Sequence, residues 1–142
     1  MKIRNGFVSN SSSSSFIILS KDNLEPEKLI EIFDIKESSP IYEVIKRLAS
    51  NIINCSTEMT PISFLNEYTC KYTSNGNDKS TEEKETELKE DYPEYYEYYM
   101  IAKEKNWKIY DGSADSYEDS DVASLDISYN NDDIIIEMNS EY

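Results

Sequence analysis

The chain has 142 residues, 38% of them apolar and 30% charged, with 29 acidic against 14 basic side chains and no histidine. That size supports one domain with its own core. The missing histidines and the distance between Cys55 and Cys70 leave no metal site of the His or Cys type, and no apolar run approaches the ~20 residues that a membrane helix needs.

Met1, Lys2, Ile3 and Arg4 make a basic start with no long apolar run behind it, so the sequence predicts no signal peptide. The expected setting is the cytoplasm of a bacterial cell, with both thiols free. Phe7 and Val8 precede a polar tract, Ser9 to Ser15, and Phe16 to Leu19 follow as four consecutive apolar residues. Such a run fits a short interior strand over 16–19, and the Asn10 and serine side chains favour a turn before it. Ser14 and Ser15 stand where they could enter that strand.

Pro26 suits the first turn of a helix over 26–33, with Leu29, Ile30 and Phe33 on one face. A second helix is expected over 40–53, capped by Ser39 with Pro40 in its first turn. Ile41, Val44, Ile45, Leu48, Ala49, Ile52 and Ile53 recur along it at helical spacing. Residues 60–73 fit both a helix from Pro61 and a period of two, and a short helix with an extended exit reconciles them. A loop follows from Ser74 to Lys79. Ser80 and Glu83 have capping-box spacing and start a helix over 81–91. Pro93 then separates it from a second helical segment over 92–105, in which tyrosines occupy more than one side.

Trp107 to Tyr110 form a strand candidate, and an acidic loop over 111–121 follows it. Alternation through Leu125, Ile127 and Tyr129 predicts a strand over 124–129. Asn130 to Asp133 make a turn into a strand over 133–138. This order predicts a single α+β domain with one small, mainly antiparallel sheet packed by helices.

Charge divides the domain. Residues 1–77 carry 9 acids and 8 bases, net −1, and residues 78–142 carry 20 acids and 6 bases, net −14. The acidic part repels nucleic acid and anionic membrane, and attracts basic protein surfaces.

The run from Arg4 through Gly6, Phe7, Val8, Ser9 and Asn10, the five serines and Phe16 resembles the opening of a scattered group of small bacterial and bacteriophage proteins. These begin Gly-Phe-Val-Ser-Asn, five serines, Phe. The likeness covers about the first eighteen residues. It implies the setting of a phage or mobile-element accessory protein and carries no activity with it.

No catalytic constellation stands out. The serine tract lacks the glycines and lysine of a phosphate loop. Arg4, the serines and Glu83 to Glu85 follow the order found in ADP-ribosyltransferases, but the arginine lies too close to the serines to occupy a separate strand. The acidic loop lacks the ligand order of a calcium-binding hand, so neither metal nor cofactor is expected. The serines Ser11, Ser12, Ser13, Ser14 and Ser15 are accessible hydroxyls open to modification.

The tyrosine-rich acidic helix is the best interaction surface, because tyrosine gives large contact area at small entropic cost. The expected partner-binding residues are Glu94, Tyr95, Glu97 and Tyr98, with Asp115, Asp119 and Asp121 adding negative field. The expected function is that of an acidic accessory protein that binds a basic protein surface. The partner expected is a nucleic-acid-binding protein, and the role that of a nucleic-acid-mimicking inhibitor of host defence. The alternatives are a self-associating virion or structural component and, with less support, an enzyme acting on nucleotides or proteins.

Overall fold

Four consecutive apolar residues need burial on both faces, and Phe16 to Leu19 obtain it at the centre of a sheet. The computed structural model describes residues 13–115 and 117–138. Phe7, Val8, Ser11, Ser12 and most of the opening motif lie outside the described residues. In chain order the elements are β1 (Ser13–Ser20), α1 (Pro26–Phe33), α2 (Tyr42–Asn54), β2 (Ser56–Met59), α3 (Pro61–Glu67) and α4 (Thr81–Asp91). There follow α5 (Pro93–Lys105), β3 (Lys108–Asp115), α6 (Ser120–Ala123), β4 (Ile127–Asn130) and β5 (Ile134–Met138). The strands form one sheet in the order β2-β3-β1-β5-β4, with every neighbouring pair antiparallel. The α+β class is as the sequence predicts.

Because side chains alternate along a strand, β1 feeds two cores. Phe16 and Ile18 join Tyr110, Ile134, Ile136 and Met138 beneath Leu29 and Ile30 of α1, Ala49 and Ile52 of α2, and Val122 of α6. Ile17 and Leu19 join Ile109 on the opposite face, beneath Phe64 and Leu65 of α3, Leu88 of α4, and Tyr99 and Ala102 of α5. Register also explains one glycine. Gly112 lies directly opposite Phe16, and a β-carbon there would fall inside the Phe16 ring.

Local chemistry sets the helix ends. Thr60 caps α3 through its hydroxyl, and Ser80 with Glu83 completes the capping box of α4. Asp34 and Asn106, with φ of 56° and 57°, end α1 and α5 in the left-handed conformation. The expected helix over 40–53 begins at Tyr42 instead. Ser39 forms a turn there, its carbonyl accepting from the Tyr42 N–H and its hydroxyl from the Ile41 N–H.

Three other features depart from the sequence reading. The polar β2 pairs as an edge strand with β3, and β3 runs five residues past Tyr110 because β1 and β2 both extend along it. Residues 70–79 form a small hairpin closed by a Tyr72–Asp78 bridge. Glu87 of α4 accepts from the Cys70 N–H and pairs with Lys79 to clasp it. A one-turn helix, α6, closes the acidic loop. The buried Ser14 hydroxyl donates to the Ala123 carbonyl at 2.8 Å and ties α6 to β1.

The Phe16–Gly112 contact predicts that Gly112→Ala lowers stability by about 1–3 kcal/mol, since the ring must leave its site. Urea unfolding followed by far-ultraviolet circular dichroism measures this. An unchanged midpoint would contradict the packing described.

Candidate functional site

The second core covers only part of its sheet face. In one cross-sheet row, Met59, Ile109, Leu19 and Ile135 pack under the helices. The adjacent row turns polar: Thr57, Asp111, Ile17, Glu137 and Ser128 lie side by side across all five strands. Beyond it Ser113 and Ser15 are paired and exposed. Where the helices end above this polar shelf, a groove of about 480 Å³ opens, lined by Ser15, Tyr68, Asp91, Tyr92, Pro93, Glu94 and Tyr95.

Pro93 builds the corner of that groove. It has no N–H, and its ring drives the preceding residue out of helical geometry. Tyr92 accordingly adopts φ −140° and ψ 72°, ending α4 and opening α5 at a single residue. The two helices then run back alongside each other, with the Lys89 ammonium over the Tyr96 ring and Glu85 accepting from the Tyr99 hydroxyl and Lys103 at 2.6 Å each. Tyr92 is left 48% exposed at the turn. Its ring stacks on Tyr95 at 5.9 Å with 25° between planes, and Tyr68 meets both edge-on at 5.8 and 4.9 Å. Phe64, buried beneath, anchors Tyr68 and Tyr95 at 5.0 and 5.6 Å. The groove thus has an aromatic wall fixed to the core and a rim bearing the exposed Asp91 and Glu94.

Electrostatics reinforce this arrangement. The Tyr68 hydroxyl donates to Asp111 Oδ2 at 2.5 Å. Burial holds the Asp111 carboxyl above its ordinary range, Tyr68 works in the opposite direction, and Glu67 adds a smaller upward push. Burial and then Asp111 raise the Tyr68 phenol in turn. Burial, with Glu137 next, pushes Tyr98 up to about 12. These phenols therefore stay neutral donors at physiological pH.

Glu94 and Tyr95 of the expected partner-binding set line the groove. Tyr98 lies one step along α5, half-buried at 6.4 Å from Tyr95, and Glu97 is exposed on the same helix outside the groove lining. The loop carboxylates do not join them. Asp115 Oδ1 accepts from the N–H groups of Tyr117 and Glu118 at 2.6 and 3.2 Å, and Asp119 Oδ2 accepts from the Asp115 N–H at 3.1 Å. Asp121 accepts from Asn51 of α2 and from the Val122 N–H, both at 2.9 Å. Asp119 precedes α6 and Asp121 lies in it, and this helix packs on the opposite side of the sheet from α5.

Of the serines, Ser13 opens β1, Ser14 is buried and Ser15 lines the groove, while Ser11 and Ser12 lie outside the described residues. Sequence reasoning missed Tyr68, Asp91, Tyr92 and Asp111 as site residues. Only the long-range register of β3 and the turn at Pro93 bring them together.

Both thiols are free. Burial and the nearby Asp119 and Asp121 push Cys55 up to about 11, which keeps it protonated and poorly nucleophilic. Among the described residues no group of three or more Cys, Asp or Glu side chains is placed to hold a metal ion. Also among these residues, no helix is long and apolar enough to cross a membrane.

Since the folded-state value of Asp111 lies above its unfolded value, falling pH protonates the folded form first. The ionised carboxylate therefore opposes folding at neutral pH, and this opposition is relieved in acid. Asp111→Asn, which still offers Tyr68 an acceptor, should match or exceed the parent's urea midpoint at pH 7, with the difference shrinking towards about pH 4. A clear loss of stability at pH 7 would contradict this. Comparison with protein-family models, curated proteins and solved structures returned no match to the chain.

Proposed function

We propose that this protein acts by binding, and that it docks a basic protein surface through the tyrosine-lined groove at the α4–α5 corner. The observation that carries the reading is one of composition in place: the Tyr68, Tyr92 and Tyr95 rings form a wall beside the exposed Asp91 and Glu94. Exposed aromatic area supplies contact energy, and the surrounding negative charge selects a cationic partner and speeds its approach. The −14 carried by residues 78–142 supports the same choice over a vast neutral or acidic range of partners. A surface of this kind suits a basic groove built to hold nucleic acid, so competition with nucleic acid is the sharper form of the proposal. The likeness of the opening motif to phage and bacterial proteins supports the setting of an accessory protein in such a cell.

A second reading, self-association in a virion or scaffold, draws on Ile41 and Val44, which are 50% and 56% exposed near and on α2. Light scattering separates the two: a symmetric oligomer that Val44→Lys dissolves would favour the second.

Poly-L-lysine serves as the probe of the first reading. Affinity measured by calorimetry should fall markedly between about 0.05 and about 0.5 M salt. Asp91→Asn with Glu94→Gln should weaken binding more than Asp126→Asn with Asp132→Asn, which removes the same charge elsewhere. Salt-independent binding would rule out the electrostatic mechanism, and equal losses from the two pairs would rule out the groove.

A further inference from the structure

Each of four aromatic rings elsewhere in the protein already has a lysine of its own. Lys71 stands over Tyr72, Lys89 over Tyr96, Lys103 over Tyr99 and Lys105 over Trp107, at 4.6–5.7 Å from the ring centroids. Among the described residues no lysine or arginine occupies the corresponding place over Tyr68, Tyr92 or Tyr95. The same holds at the rim, where Asp91 and Glu94 take part in no ion pair among the described residues. The groove therefore presents a π surface and two carboxylates together.

We infer that the α4–α5 corner groove is a receptor for an arginine side chain of the partner, its guanidinium stacked on the Tyr92–Tyr95 pair and bonded to Asp91 or Glu94. The inference rests on the proposed basic-surface reading and names the anchor within it.

Geometry distinguishes arginine from lysine. Tyr92 stacks on Tyr95 within 25° of parallel, so the half-exposed Tyr92 ring is held in a fixed plane on which a planar cation can stack. A guanidinium is flat, weakly hydrated and able to bind a carboxylate through two parallel N–H groups, whereas an ammonium is a compact, strongly hydrated point charge. The Ser15 and tyrosine hydroxyls offer acceptors for its remaining donors. The groove, at about 480 Å³, falls within the usual range for ligand sites and leaves room for flanking peptide.

The test uses the full chain and two decapeptides of equal length and charge, one carrying arginines and the other lysines at the same positions. The arginine peptide should bind about two- to fivefold more tightly, with the whole worth of a stacked cation at a solvent-exposed ring as the ceiling. Tyr92→Leu should abolish that preference while leaving lysine-peptide binding in place, and Tyr92→Trp should preserve it. Ring signals of Tyr92 and Tyr95 should shift further in nuclear magnetic resonance spectra with the arginine peptide than with the lysine peptide. Tyr92 is half-exposed, and the circular dichroism of each variant confirms that it folds. Equal, salt-sensitive binding of both peptides would overturn the arginine inference and leave the basic-surface reading standing. An arginine preference that survives Tyr92→Leu would also overturn it. Absence of salt-sensitive binding by either peptide would overturn both.

Discussion

The rest of the structure depends on β1 being apolar on both faces. An interior strand of this kind cannot lie at an edge or against solvent, so the sheet must extend on both sides of it and be covered above and below. β3 and β5 satisfy the first requirement, and two groups of helices satisfy the second. Its serines extend the same logic at either end. Ser14 and Ser20 are buried but bonded, to the carbonyls of Ala123 and Asp22, so neither hydroxyl is left without a partner. Ser15 emerges on the opposite face, at the floor of the groove.

The groove results from a mismatch between layers. On the α3–α5 side the sheet offers one apolar row and then a largely polar one, and the helices cover the first fully and the second only about Ile17 at its centre. The helix above it, α5, has four tyrosines spread over nearly half of its circumference, and Met100 and Ile101 widen that arc beyond what one interface can bury. Tyr99 and Ala102 go fully inward, Tyr95 and Tyr98 reach only half-burial, and Tyr92 is turned out by Pro93. Surplus aromatic surface thus meets the polar shelf at the corner. Asp111 sits on that boundary, retained as a half-buried carboxylate that opposes folding at neutral pH. A residue kept at a cost to stability is a common feature of binding and active sites.

Much of the fold was legible from local pattern. Helical spacing marked α2, capping chemistry marked α4, and the apolar run marked β1, because each signal lies within a dozen residues. What escaped was set by pairing at long range. β2 is polar and short, and becomes a strand only because β3 offers it an edge; β3 continues through Asp111 to Asp115 for the same reason. The candidate site divides similarly. Glu94 and Tyr95 could be named from the composition of α5, whereas Tyr68 and Asp111 enter through a 2.5 Å contact across 43 residues of chain. Asp115, Asp119 and Asp121 carried the right charge for a binding surface, but their carboxylates bind the backbone and α2 at the α6 end of the molecule.

Native-state hydrogen exchange tests the central role of β1 most directly, because it measures the opening free energy of each amide. Ile17, Ile18 and Leu19 should exchange only through global unfolding, with the steepest denaturant dependence in the protein. The α4–α5 corner, held by side-chain packing at the edge of the second core, should open at lower cost. Amides of β1 that exchange by local opening, ahead of those at Tyr92 and Tyr95, would contradict that role.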